Sequence, residues 1–179
     1  MARIVIEVSD RNKDLVLALE QFAELITMLE ERSSGGKSID YARIDREVGA
    51  AAASIEREAH RSLLAGLDLD VEKVRIGSAL YTRVGRHEAT YYTMAGPVVV
   101  ERSIYRRDGE RNAKVVDAVS LRAGVVADGW LPQTARAMAH HVQRGTAREA
   151  EASAEETGRL VYSRSSFDRV AHAIGPKLR

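Results

Sequence analysis

The chain has 179 residues, with 27 basic against 26 acidic side chains, 45% hydrophobic and 5% aromatic residues, and no cysteine. That length suits one domain or two small ones, and the near-zero net charge of +1 argues against a strongly basic nucleic-acid binder while leaving local patches open. The missing cysteine excludes disulfides, thiolate zinc sites, iron–sulfur clusters and cysteine nucleophiles, and the few aromatics predict an aliphatic core.

The opening MARIVIEVSD has an apolar run far shorter than that of a signal peptide, and no run approaches the ~18 residues of a membrane span, so a soluble, cytoplasmic protein without membrane contact is expected. Arg3 to Val8 alternates polar and apolar residues and reads as a short strand, after which Ser9 and Asp10 can cap a helix. Leu15, Leu19, Phe22, Ile26 and Leu29 then form one narrow helical stripe, ended by Ser33-Ser34-Gly35-Gly36. A second helix is predicted from Ser38 or Asp40, with the stripe Ile44, Val48, Ala51, Ile55, Ala59 and Leu63 and Gly66 as a left-handed C-cap. The two helices make a hairpin whose stripes either bury each other and a third element or form a homodimer through residues 15–63.

Residues 67–74 read as a charged linker. β-branched and aromatic residues bounded by Gly and Pro, with Gly85 as one boundary and Met94 to Pro97 as a turn, predict a small antiparallel meander over about 78–107. Asp108-Gly109 opens a polar loop to about 114, and a helical pattern follows. Pro132 suits the first turn of a helix ending before Gly145, Thr146 and Glu149 form a capping box for the next, and Gly158 closes that one. Ser163 can cap a last helix carrying Phe167, Val170, Ala171 and Ile174, stopping at Gly175-Pro176. The predicted class is α+β, mostly helical: a strand and helical hairpin over 1–66, a small antiparallel sheet over 75–115, and a helical unit over 116–179 ending in a helix-turn-helix-like pair.

The charge is uneven: residues 1–74 carry 10 basic and 15 acidic groups, residues 75–135 carry 9 and 6, and residues 136–179 carry 8 and 5. A basic back half suggests contact with nucleic acid. In the helix-turn-helix-like pair the second helix would enter a DNA groove with Ser163, Arg164, Ser165, Ser166 and Arg169 foremost, the serine hydroxyls and first amides on phosphates and the arginines on phosphate or guanine. The bland alternative is a helical hairpin with a solvated face. Arg102, Arg106 and Arg107 around Tyr105 suit a phosphate backbone, or they lie on a solvated sheet face. Catalysis finds no support. His140 and His141 point about 100° apart on a helix, Asp117, Asp128 and Asp168 are scattered, and no nucleotide, zinc or hydrolase motif occurs, so no metal, cofactor or catalytic residue is assigned. Trp130 reads as a core anchor.

Tyr92 to Arg106 resembles the T-x-x-G-x-V-x-V-x-R-x-x-Y-R segment of the ISKra-type insertion-sequence transposases. Val116 to Leu121 is similar to the family's PLDA-x-L-x-L segment with the proline and one leucine replaced. Thr146 to Ala150, Gly158 and Ser163 to Arg169 are similar to its T/S-x-x-E-A helix, glycine and S-x-S/T-x-x-R helix. The resemblance covers about 75–175 and implies the N-terminal, presumed DNA-binding region of such an enzyme. It implies that element ends are the partner, with Arg102, Tyr105, Arg106, Ser163, Arg164, Ser166 and Arg169 as positioning residues. In the family a nuclease domain follows about where this chain ends, so the resemblance leaves open a truncated remnant, a stand-alone relative, or one product of a split reading frame that works with a separate catalytic subunit.

Overall fold

The computed structural model describes residues 5, 8–36, 38–110, 112 and 114–174; the strand expected over Arg3 to Val8 and the stop at Gly175-Pro176 fall largely or wholly outside them. Helix α1 (Lys13–Ser33) follows a 3-10 turn (Asp10–Asn12). Neither Ser9 nor Asp10 caps α1: Asn12 holds the N-cap position without a capping hydrogen bond, because its side chain is bonded to Ser62 instead. Helix α2 (Tyr41–Ala65) starts as the sequence predicts, with the Asp40 carboxylate accepting the Arg43 amide at 3.1 Å. Gly66 departs from expectation. It is right-handed (φ −68°), and the chain tightens through Leu67 N–H to Leu64 O (3.0 Å) rather than reversing. Only Ala18 and Leu29 of α1 are buried, while Leu15, Leu19, Phe22 and Ile26 are half-buried. Arg32–Glu47 (3.5 Å) and Arg61–Asp14 (3.8 Å) link the two helices at the surface, where such pairs contribute about 0–1 kcal/mol.

The antiparallel sheet runs β1-β2-β3-β4, with β1 Lys73–Ile76, β2 Ala79–Thr93, β3 Gly96–Arg107 and β4 Val116–Asp117. Two expectations change. The end of the supposed linker is strand β1, because Lys73-Val74-Arg75-Ile76 alternates and pairs with Ala79 to Thr82. Gly85 is no boundary. β2 passes through it, and the register slips between Arg83 and Gly85, leaving Val84 as the extra residue of a bulge. Met94 and Ala95 form the expected turn, closed by Gly96 at φ 119°.

The helical pattern expected after about 114 begins only beyond β4, as the short helix α3 (Ala118–Ala123), which Asp117 caps by accepting the Ser120 amide at 2.6 Å. Helices α4 (Pro132–Arg144), α5 (Ala147–Thr157) and α6 (Arg164–Ile174) lie where their caps predict. The Thr146–Glu149 capping box is fully formed, and Gly158 is left-handed (φ 65°).

Two cores hold these parts. Leu64 of α2, Tyr91, Val98 and Val100 of the sheet, and Val119 of α3 make one. The other gathers Trp130, Ala135, Met138, Ala150, Leu160, Phe167 and Val170 from α4, α5, α6 and their connections. Phe167 and Val170 are fully buried, and side chains of that size each contribute about 1.5–3 kcal/mol. The tip of the β2–β3 hairpin enters this second core. Trp130 stacks on Tyr92 (centroids 4.3 Å apart), Leu160 N–H reaches Met94 O (3.1 Å), and the Tyr162 hydroxyl donates to Thr93 O (2.6 Å). Tyr92 N–H bonds Gly129 O at 2.8 Å, an approach so close that a Cβ on Gly129 (φ 118°) would overlap the Thr90 carbonyl. Arg57 of α2 donates to Ala95 O (2.9 Å) on the same tip, and Arg159 grips Glu56 with two bonds of 2.6 and 3.1 Å.

Candidate nucleic-acid interface

At about 100° per residue, α6 turns Phe167, Val170 and Ile174 inward and Arg164, Ser165, Asp168, Arg169 and His172 outward. Arg164, Ser165 and Arg169 are exposed, and among the described residues neither arginine joins an ion pair. The outward face also holds one anion, Asp168, whose carbonyl accepts His172 Nδ1–H at 2.7 Å.

The start of α6 is arranged differently from the sequence-based picture. Ser163 Oγ lies 3.0 Å from Ser165 Oγ and 3.1 Å from Ser166 Oγ, so the hydroxyls satisfy one another. Ser166 is half-buried. The first amide of the helix, Arg164 N–H, donates to the Glu151 carboxylate of α5 at 2.9 Å. A carboxylate complements the positive end of the helix dipole there, so the amide expected to bind phosphate already holds an anion. The side chains of Arg164 and Arg169 remain open.

The sheet corrects two of its assigned contacts. Arg102 faces inward, over the Tyr91 ring (5.9 Å to its centroid), and is paired with the Asp117 carboxylate; it also donates to Ser120 Oγ at 3.1 Å. The pair is largely buried, with side-chain exposures of 23% and 9%. Burial, with the Asp117 charge beside it, pushes the Tyr91 phenol above its ordinary range, so it stays protonated and donates to Asp117 at 3.3 Å. Tyr105 is 0% exposed, and its hydroxyl donates to the carbonyls of Leu69 and Val71. Tyr105 is closed to a nucleic acid in this fold, and the Arg102 guanidinium is already taken by Asp117; both pin the sheet to the segments around it.

Arg107 is exposed and paired with Glu110 at 2.7 Å. Arg106 is half-buried and in no ion pair, and its Nε has no acceptor. Arg83 and Arg86 are both paired with Asp70, and Arg86 also reaches Glu101 (3.1 Å). The reading of the sequence missed Lys73 and Arg75, which stand exposed on β1 without ion pairs among the described residues; the four-residue alternation of β1 was the available signal.

Trp130 is buried at 2% exposure and packs against Tyr92 and Tyr162, as a core anchor should. Among the described residues no three His, Asp or Glu side chains converge as a metal-binding group, and no helix is long and apolar enough to cross a membrane. The class is therefore defined by architecture: an α+β, mostly helical chain around a four-stranded antiparallel sheet. No family model, curated protein or solved structure matches the chain.

Proposed function

We propose that the chain is a non-catalytic DNA-binding protein that presents α6 to the major groove. The observation that carries this reading is the outward face of α6, where Arg164 and Arg169 stand without ion pairs on a helix anchored by Phe167 and Val170. Arginine is suited to that position because its planar fork meets guanine or phosphate with two parallel hydrogen bonds. With the resemblance to ISKra-type transposases, the target is the end of an insertion element. The chain acts in the bacterial cytoplasm. The test is a fluorescence-anisotropy titration against duplex DNA at salt concentrations from about 50 to 200 mM. Binding should weaken steeply with salt. Arg164→Ala and Arg169→Ala should each cost about 1–3 kcal/mol of affinity. No binding at low salt, or a flat salt response, overturns the reading.

A second reading has its own support: a dimeric interaction protein without nucleic-acid binding. Neither core contains a residue of α1, and the stripe of Leu15, Leu19, Phe22 and Ile26 stays half-exposed in the single chain. Light scattering decides the dimer. A dimer lost in Leu19→Glu and Ile55→Glu, together with absent DNA binding, favours this reading, and a monomeric wild type removes it.

A further inference from the structure

The end of the sheet remote from the hairpin tip carries cations that join no ion pair among the described residues. Lys73 stands directly opposite Thr82, and Thr82 directly opposite Arg106, so all three point to one face. Arg75 lies two residues from Lys73 and shares that face. No ion pair among the described residues involves Lys73, Arg75 or Arg106, whereas Arg83, Arg86, Arg102 and Arg107 on the same strands are all paired. Arg106 also keeps a buried Nε with no acceptor, and the exposed Leu80 and Val84 beside the strip show that no helix covers it. Asp108 lies on this face too, its carboxylate accepting the Thr82 hydroxyl at 2.6 Å without pairing with Lys73, Arg75 or Arg106.

We infer that Lys73, Arg75 and Arg106 form a second phosphate-contacting surface for duplex DNA, about one helical turn from the site of α6. The inference rests on the proposed DNA-binding reading. The distance follows from β2: the connector into α6 docks on Thr93, the strip crosses β2 at Thr82, and at about 3.3 Å per residue the strand sets them roughly 35 Å apart. One turn of B-DNA is about 34–36 Å. Contacts of this kind carry no sequence information; they fix register along the duplex and raise the salt dependence by close to one per neutralised phosphate.

The experiment compares a hairpin-closed duplex of about 6 base pairs, roughly 20 Å long and too short to reach both surfaces, with one of about 30. Lys73→Ala/Arg75→Ala, both at exposed positions, and separately Arg106→Gln, are titrated on each after circular dichroism has shown native secondary structure. On the long duplex the double variant should bind about tenfold more weakly, with a salt slope lower by about two, and Arg106→Gln should lower the slope by about one. On the short duplex both should match wild type. If wild type binds neither duplex, the DNA-binding reading itself fails. If wild type binds and the variants keep its slope on the long duplex, or lose affinity equally on both, the second surface is overturned.

Discussion

Arg102 sits in an environment where charge is costly unless answered. Its guanidinium is held by Asp117, Ser120 and Tyr91, and Asp117 in turn accepts the Ser120 amide in the first turn of α3. Removing one member of such a pair leaves the other buried and uncompensated, which typically costs 3–5 kcal/mol. Arg102→Ala should therefore lower the unfolding free energy by about 3 kcal/mol in urea titrations. A loss under about 1 kcal/mol would mean that water replaces the guanidinium freely. Tyr162 offers a second measurement. Burial raises its phenol well above the ordinary tyrosine range, with Tyr92 adding to the shift. A folded value above the unfolded one means that the stabilisation is complete below about pH 10 and is lost as pH rises beyond it. Wild type should accordingly lose stability above about pH 10 more steeply than Tyr162→Phe, as read by denaturant midpoints across alkaline pH; parallel profiles would remove Tyr162 as the cause.

Elements whose ends are written locally are the ones the sequence made legible. The start of α5 needs only Thr146 and Glu149, three residues apart, and each side chain caps as predicted. Thr146→Ala should cost about 1 kcal/mol. The Thr146 backbone amide, and then its hydroxyl, hold the Glu149 carboxyl below its ordinary range, so the contribution of Glu149 is present at neutral pH and disappears as pH falls through that lowered value. Gly49, inside α2, has open space where a Cβ would lie, and Gly49→Ala should stabilise by about 0.5–1 kcal/mol, raising the melting temperature by roughly 1–4 °C. β1 escaped because four alternating residues follow an acid-rich stretch, and Gly85 misled because a bulge shifts the phase of the alternation there. The same non-locality hid the roles of Arg102 and Tyr105. They look like Arg106 in the sequence, and only Asp117 and the carbonyls of Leu69 and Val71, far along the chain, decide which side chains turn inward. The open arginines of α6 were legible, since the inward stripe of Phe167 and Val170 fixes the outward face by helical period alone.

For the whole molecule, stability should be graded. Both cores lie around the sheet and the three C-terminal helices, and α1 contributes to neither. Native-state hydrogen exchange should show amides of α1 and the first half of α2 opening at much lower free energy than those around Tyr91, Val98 and Phe167. Equal protection throughout would place a further core, or a partner, along the hairpin. The uneven charge now has an address. The acidic front belongs largely to the helical hairpin, and several basic groups of the back are consumed by internal pairs with Asp117, Glu56 and Glu110. The carboxylate of Glu151 at the start of α6 carries this one step further. A helix whose first amide is already filled by the chain's own anion offers little to a free phosphate or a nucleotide. If the chain binds DNA as proposed, inorganic phosphate should compete with the duplex no better than any other salt of equal ionic strength, and a specific displacement by phosphate would show that this helix start is open after all.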